Sequence, residues 1–140
     1  MAGPGRMSGP GEQATTIDRV RYLSAVAARA CREKGGEDTV ILSVGRTLAI
    51  TDAFVITSGS NPRLVRTVAE EVEEKVKQAG GPAPRAVEGL DDARWVLLDY
   101  GDFVVHVLLD EARDFYQLDQ LWSDAEKWEW RASEPLAASE

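Results

Sequence analysis

Residues 94–109 read RWVLLDYGDFVVHVLL, which is the longest apolar run in the chain. The run is interrupted once, by Gly101-Asp102. Two segments rich in β-branched and aromatic residues, joined by Gly-Asp, are typical of a β-hairpin with a two-residue turn. Such a turn places Tyr100 opposite Phe103 and, further along the strands, Leu97 opposite His106.

This register predicts two faces of different character, because opposed residues in a hairpin share a face. The first face carries no charge and should lie against the core: Val96, Leu98, Tyr100, Phe103, Val105, Val107 and Leu109. The second face is also largely apolar: Trp95, Leu97, Asp99, Val104, His106 and Leu108. Two such faces indicate central strands that helices partly cover on both sides. A three-residue turn would shift the parity and separate these groups.

The rest of the chain predicts helices with clear ends. Thr15 or Thr16 can cap a first helix, which Gly35-Gly36 ends. Asn61 with Pro62 is suited to begin a second helix, and Gly80-Gly81-Pro82 stops it. The second helix has a buried stripe at helical spacing, formed by Leu64, Val65, Val68, Val72 and Val76.

Short strands are predicted at residues 39–44, 53–57 and 84–89, the last at a sheet edge because it contains proline. After the hairpin, Asp110 can cap a short helix. One side of that helix is predicted to carry Phe115, Leu118, Leu121 and Trp122. The order of elements predicts a single α/β domain, with a mixed sheet of about five strands and two main helices.

Composition divides the chain into three parts. Residues 1–14 are rich in Gly and Pro and predict a disordered leader, residues 15–122 form the α/β domain, and residues 123–140 form an acidic C-terminal tail with Trp128 and Trp130 as aromatic anchors. No apolar run reaches the roughly 18 residues that a membrane helix needs. With no secretory signal and with Cys31 as the single cysteine, the sequence predicts a cytoplasmic protein without disulfides.

The charge is unevenly distributed along the chain. The net charge is −8, and it arises from the second part, because residues 1–80 carry a balance of +1 and residues 81–140 a balance of −9. An acidic half argues against direct binding of nucleic acid, which needs basic surface. It is compatible with a basic protein partner, although solubility alone can explain it.

No arrangement of side chains predicts catalysis, a metal site or a cofactor. One His and one Cys are too few for a zinc site, and Asp99 and Asp102 flank the hairpin turn, where carboxylates commonly serve turn chemistry. His106 with Asp99 could form a base and its orienting group, but no nucleophile stands beside them.

One loop is similar to the opening of a nucleotidyltransferase site. Gly59-Ser60 precedes a helix, and Glu71-Val72-Glu73 follows at roughly the offset of the carboxylates that hold the metal in those enzymes. No Gly-Lys-Ser/Thr follows, so a P-loop is excluded. Because Val72 belongs to the buried stripe of its helix, the two glutamates are interpreted as a solvated face.

Aromatic residues gather in or beside the second face of the hairpin. Trp95, Tyr116 and Trp122, together with Asp99 and His106, predict a protein-binding patch, since aromatic side chains supply most binding energy at interfaces.

An ordered set of motifs resembles the ribosomal silencing factor family, also called RsfS or Iojap, over residues 17–122. The set is Asp52-Ala-Phe-Val-Ile-Thr-Ser-Gly-Ser60, Ala69-Glu-Glu-Val72, Glu88-Gly89, Trp95-Val-Leu-Leu-Asp-Tyr-Gly-Asp102, Val104-Val-His106, Arg113, Phe115-Tyr116 and Leu118-Asp-Gln-Leu-Trp122. The sequence departs from the usual family pattern at Ala53, Leu64 and Leu108.

The resemblance implies a nucleotidyltransferase-like fold without catalysis or cofactor. It implies a protein that binds the large ribosomal subunit through ribosomal protein uL-fourteen, blocks its association with the small subunit under nutrient limitation, and forms a homodimer when free. The implied contact residues are Trp95, Tyr100, Asp102, His106, Tyr116, Leu118 and Trp122. Two alternatives stay open: a large-subunit assembly factor that uses the same contact, and a nucleotidyltransferase-type enzyme.

Overall fold

The computed structural model describes residues 10–46, 48 and 50–131. In that part of the chain, helices and strands follow one another in the order that the sequence predicts, with a second short helix and a short strand added at the end. The elements are α1 Pro10–Glu33, β1 Glu37–Ser43, β2 Ala53–Gly59, α2 Pro62–Gln78, β3 Ala86–Glu88, β4 Trp95–Asp99, β5 Phe103–Leu109, α3 Asp110–Tyr116, α4 Leu118–Leu121 and β6 Glu126–Lys127.

The strands form one mixed sheet in the order β3-β4-β5-β2-β1-β6. β2 and β5 are parallel, and every other neighbouring pair is antiparallel. The predicted fold class is confirmed, but the sheet has six strands rather than about five. The extra strand is β6, whose two residues give no periodic signal in the sequence.

The predicted hairpin register is confirmed. Leu97 lies opposite His106 and Asp99 opposite Val104, and Tyr100 N donates to Phe103 O at 2.9 Å across the turn. Gly101 has a φ of +85°, a conformation that glycine adopts without steric cost. A carboxylate oxygen of Asp99 accepts from Gly101 N at 2.8 Å and further fixes the turn.

Helices α1 and α2 cover the first face of the sheet and enclose the main core. The uncharged face of the hairpin lies in this core, together with Val65, Val68, Val72 and Val76 of α2. Leu64 is half-buried at its edge. α2 has the predicted ends, because Asn61 Oδ1 accepts from Leu64 N at 2.9 Å and Gly80 follows with a φ of +89°.

A smaller cluster lies on the second face of the sheet. Its buried members are Leu42, Val44, Ile56, Leu108 and Ala112. Half-buried side chains from the strands, from α4 and from the residue after α4 complete it, including Phe54, Trp95, Leu118 and Trp122. The second face is therefore covered only in part.

Two predicted helix starts are wrong. α1 begins at Pro10 rather than after Thr15 or Thr16, since proline fits the first turn of a helix, where its missing N–H is not needed. Residues 10–14, assigned to the leader by composition, therefore lie in α1, whereas residues 1–9 lie outside the described residues. In α3 the capping position is Leu109, and Asp110 is the first helical residue.

The predicted single short helix is divided at Gln117. Gln117 has a φ of 52°, so the chain turns there and starts again as α4. The predicted stripe is divided with it, because Leu118 and Trp122 pack on the second face whereas Phe115 and Leu121 are exposed.

The segment after Trp122 returns to the sheet. β6 pairs with β1, Trp128 N donates to Ile41 O at 2.9 Å, and the Trp130 indole donates to Thr39 O at 3.2 Å. Both tryptophans are buried in the main core, and the guanidinium groups of Arg21 and Arg32 lie over their rings. Residues 132–140 lie outside the described residues. None of the described helices is long and apolar enough to span a membrane.

Candidate partner-binding surface

Five rings form a continuous row across the second face of the sheet, here named the aromatic row: Tyr116, Trp95, His106, Phe54 and Trp122. Successive ring centroids lie 4.8 Å, 5.9 Å, 4.7 Å and 5.6 Å apart. The contacts are edge-on or tilted, which are favoured arrangements for aromatic pairs. The row is therefore a single packed structure drawn from four elements and the residue that follows α4.

The sheet register explains how the middle of the row forms. Leu97 pairs with His106 and Trp95 with Leu108, so Trp95 and His106 lie diagonally on one face of the hairpin. Phe54 comes from β2, where it pairs with Val104 in parallel register and shares the face of His106. The ends of the row come from the last residue of α3 and the residue after α4.

Exposure separates the members of the row. Tyr116 is 46% exposed and His106 only 6%, while Trp95, Phe54 and Trp122 are half-buried. Phe115, predicted to share one side of its helix with Leu118 and Trp122, is 73% exposed and packs edge-on against Tyr116 at 5.0 Å. A partner therefore reaches the row most readily at its Tyr116 end.

His106 is hydrogen-bonded within the row. The Trp95 Nε1–H donates to His106 Nδ1 at 3.1 Å, while His106 Nε2 has no partner in the described part of the chain. Burial lowers the pKa of His106 to about 4. The imidazole is therefore neutral at pH 7 and has one nitrogen lone pair, which accepts the hydrogen bond from the Trp95 indole.

Two of the predicted contact residues, Tyr100 and Asp102, lie apart from the row. Tyr100 is buried in the main core, stacked on Phe103 at 4.7 Å, and burial raises the pKa of its hydroxyl, with a smaller contribution from Glu73. Asp102 is exposed at the tip of the hairpin turn. The structure therefore brings together Trp95, His106, Tyr116, Leu118 and Trp122 on one face, without Tyr100 and Asp102.

Asp99, the suggested partner of His106, has other contacts. Besides accepting from Gly101 N, its carboxylate lies 3.5 Å from the Arg85 guanidinium. The sequence allowed His106 to act as a base that Asp99 orients. In the structure, Asp99 instead stabilises the hairpin turn, and His106 Nδ1 accepts from Trp95.

Two parts of the site were not identified from the sequence. Phe54 joins the row only through the parallel pairing of β2 with β5. Arg113 donates to both carboxylate oxygens of Asp119, at 3.0 Å and 2.8 Å, and to Glu37 O at 3.2 Å. This interaction ties α4 to α3 and β1, and the hydrogen bonds from Arg113 lower the pKa of Asp119.

The surface beside α3, the helix that ends at Tyr116, is acidic. A cavity of about 560 Å³ opens beside α3, and its lining includes carboxylates together with Arg113: Glu37, Asp38, Asp110, Asp114 and Asp119. The acidic cavity and the exposed end of the row therefore both involve α3.

The loop that is similar to a nucleotidyltransferase site is filled by side chains. A Cβ placed on Gly59 would lie 3.3 Å from a methyl carbon of Val65 and 3.4 Å from Leu64 Cγ. Glu71 is paired with Lys75 along α2 at 3.7 Å. Among the described residues, no three His, Cys, Asp or Glu side chains are grouped so that they could hold a metal ion.

Comparison with known proteins identifies relatives over most of the chain. The family model described as "Ribosomal silencing factor during starvation" matches residues 17–140. Ribosomal silencing factor RsfS of Bacillus subtilis is 38% identical over 105 residues, covering 75% of this chain and 88% of that protein. The mouse protein named "Mitochondrial assembly of ribosomal large subunit protein 1" is 30% identical over 95 residues, which are 66% of this chain and 41% of the mouse protein.

Solved structures agree with these relatives. A crystal structure from Chromobacterium violaceum has 32% identity and a TM-score of 0.71, covering 74% of this chain and 86% of that one. Another, from Bacillus halodurans, has 33% identity and a TM-score of 0.63, covering 74% and 93%. Because the family model spans nearly all of the described domain and relatives of similar length share its sequence, the chain belongs to the ribosomal silencing factor family.

Proposed function

We propose that this protein binds the large ribosomal subunit through ribosomal protein uL-fourteen and prevents its association with the small subunit, repressing translation under nutrient limitation. The aromatic row is the observation that carries the proposal. It is a packed set of rings with a half-exposed end, and aromatic side chains in such settings supply most of the binding energy at protein interfaces.

The chemistry of the surface is compatible with a basic partner. Carboxylates of α3, α4 and β1 line a cavity beside α3, the helix that ends at Tyr116, and residues 81–140 carry a balance of −9. Ribosomal proteins that contact RNA need basic surface, so opposite charges would speed the encounter and orient it. Tyr116, Trp95, Leu118 and Trp122 form the proposed contact, while Asp102 at the hairpin tip is a peripheral contact at most.

The same surface is proposed to be covered by a second copy when the protein is free. Phe115 and Leu121 are 73% and 71% exposed next to the row. Exposed apolar patches often mark protein–protein interfaces. Formation of the homodimer would cover these apolar side chains in the free protein. The dimer would dissociate when the ribosomal partner binds the same surface.

A binding role without catalysis fits the loop at Gly59. Leu64 and Val65 occupy the space beside that glycine, and Glu71 and Glu73 lie on α2 rather than on a strand. We therefore expect calorimetric titration with Mg-ATP or Mg-CTP to show no saturable binding. A saturable isotherm that Glu71→Gln abolishes would contradict this part of the proposal.

A second candidate function is assistance in large-subunit assembly. The name of the mouse relative, "Mitochondrial assembly of ribosomal large subunit protein 1", favours it. The two functions share one contact surface but differ in what accumulates when the protein is lost. Assembly predicts immature large subunits in cells that lack the protein, whereas silencing predicts normal subunits that join too readily during starvation.

Co-sedimentation with purified subunits tests the main proposal. The protein should sediment with large subunits and not with small ones, and its saturating addition should reduce formation of the joined ribosome. Large subunits stripped of uL-fourteen are the control and should not retain the protein. Equal sedimentation with small subunits, or unaffected joining at saturation, would show that the proposal is wrong.

A further inference from the structure

We propose that His106 is a positioning residue for partner binding: it holds the Trp95 indole in one orientation through the Nε1–H···Nδ1 hydrogen bond and does not itself contact the partner. This inference rests on the proposed function of the aromatic row. It reassigns His106, which the sequence placed among the contact residues.

Burial argues against direct contact by His106. Its exposed fraction is 6%, and its Nε2 atom is buried without a partner in the described residues. Phe54 covers one side of the imidazole with its ring centroid 4.7 Å away, and Trp95 covers another side at 5.9 Å. A partner could reach the imidazole only by displacing one of these rings.

The hydrogen bond has a defined direction. An indole N–H can only donate, so Nδ1 must present its lone pair and the single proton of the neutral imidazole must lie on Nε2. The low pKa of His106 agrees with this, since protonation of Nδ1 would break the bond. The preferred tautomer is therefore fixed by the tryptophan.

The hydrogen bond restricts the orientation of the Trp95 side chain. It is half-buried on β4 and contacts Tyr116 at 4.8 Å between centroids, so its orientation sets the shape of the exposed end of the row. A large side chain at a surface has several rotamers, and ordering it on binding reduces affinity. The hydrogen bond to His106 restricts the Trp95 rotamers in the free protein, so less rotamer freedom is lost when the partner binds.

Two variants of His106 separate positioning from other roles. In His106→Asn the amide oxygen can occupy the place of Nδ1 and accept from Trp95, whereas in His106→Gln the amide lies nearer the place of Nε2. Both variants leave a polar amide in the same buried position, so a purely structural cost should affect them similarly. Trp95→Phe serves to assign the indole signal.

The first measurement is the ¹H–¹⁵N spectrum of the full chain, with solvent exchange of the Trp95 indole proton. We expect His106→Asn to keep the wild-type exchange rate to within about threefold and His106→Gln to raise it about tenfold or more. An indole proton that exchanges equally fast in the wild type and both variants would overturn the positioning role, whatever the ribosome experiment shows.

The second measurement is affinity for purified large subunits. His106→Asn should bind within about threefold of the wild type, and His106→Gln should lose about tenfold or more. If both variants keep the folded amide spectrum and lose affinity equally, the imidazole itself is the contact and the inference is wrong. Failure of the wild-type protein to bind would refute the proposed function instead, while the exchange rates would still decide whether His106 holds Trp95.

Discussion

At the level of single residues, the aromatic row contains side chains with different tasks. Tyr116 is half-exposed and can meet a partner directly, whereas His106 lies beneath Trp95 and Phe54. Substitution of Tyr116 should therefore affect binding directly, whereas substitution of His106 should affect stability and, through the orientation of Trp95, binding.

Tyr116→Ala should weaken binding far more than folding. Truncating an aromatic anchor at an interface costs about 2 kcal/mol or more, equivalent to roughly 30-fold in affinity. Tyr116 is 46% exposed, so the melting temperature should fall by only a few degrees, about 1 kcal/mol of unfolding free energy. Tyr22→Ala is the matched control, because Tyr22 is 54% exposed on α1, which covers the opposite face of the sheet. Equal losses of affinity in the two variants would contradict the assignment of the surface.

His106 should make the protein less stable in mild acid. The pKa of His106 is about 4 in the folded state, whereas the ordinary value of 6.5 applies in the unfolded chain. Between pH 4 and pH 6.5 the unfolded chain therefore binds more protons than the folded one. Stability from this group is complete above pH 6.5, falls as the pH decreases, and levels off below pH 4. Between pH 7 and pH 5 the loss is about 2 kcal/mol. Urea unfolding at both pH values should show this loss in the wild type and not in His106→Asn, and equal losses would show that His106 is not responsible.

At the level of elements, the position of β4 depends on close approach of the preceding loop. Gly89 has a φ of +88°, and a Cβ at this position would overlap the backbone carbonyl of Trp95. Arg66 holds the next residues of the loop, donating to Leu90 O at 2.9 Å and to Asp91 O at 2.6 Å. The loop and Trp95 are thus placed together by backbone contacts.

Gly89→Ala should therefore cost much more than Gly80→Ala. Gly80 has nearly the same φ, +89°, but a Cβ there meets nothing within 4 Å. Gly80→Ala should lower the free energy of unfolding by about 1 kcal/mol, because a residue with a Cβ is strained at this positive φ. Gly89→Ala should lower it by about 3 kcal/mol or more, because its Cβ also overlaps the backbone of Trp95. Denaturant unfolding of both variants measures the difference. Similar costs at the two positions would mean that the loop can move away from β4 freely.

The break at Gln117 is a second feature of this scale. A glutamine at a φ of 52° adopts a conformation that costs about 1 kcal/mol for a residue with a Cβ. The Arg113–Asp119 interaction spans the break and holds α4 where Leu118 and Trp122 can pack. Tertiary contacts thus offset the local strain.

At the level of the whole molecule, the segment after Trp122 closes one edge of the sheet. β6 occupies the outer side of β1, and Trp130 is only 2% exposed. Its indole is held by Thr39 O and lies near the guanidinium groups of Arg32 and Arg131. The acidic tail that composition predicts is, up to residue 131, part of the folded sheet and core.

A chain that ends at Ala125 should be destabilised and prone to self-association. It loses two buried tryptophans, which should cost about 3 kcal/mol or more, and leaves β1 as an unpaired edge. A chain that ends at Arg131 keeps β6 and both tryptophans and should match the full-length protein. Urea unfolding and light scattering on the two truncated proteins test this. A chain ending at Ala125 with full stability would show that β6 is dispensable.

The sequence by itself determined the features that rest on neighbours along the chain. The Gly101-Asp102 turn defined the register and therefore the two faces of the hairpin, and Asn61, Pro62 and Gly80 defined the ends of α2. It also placed Trp95 and His106 together, because side-chain direction in a strand follows from parity alone. These are local rules of backbone geometry, and they need no knowledge of distant contacts.

Only the tertiary structure decided the rest. Phe54 enters the aromatic row through the parallel pairing of β2 with β5, Trp128 and Trp130 reach the core through two residues of β6, and Gln117 turns where helical spacing predicts continuity. His106 lies beneath Trp95, although the sequence places it among the contact residues, whereas Tyr100 lies in the core, as its hairpin face predicts and unlike the contact role that the resemblance implies. Each outcome depends on which distant surfaces meet, and burial there outweighs the weak local preference of a few residues.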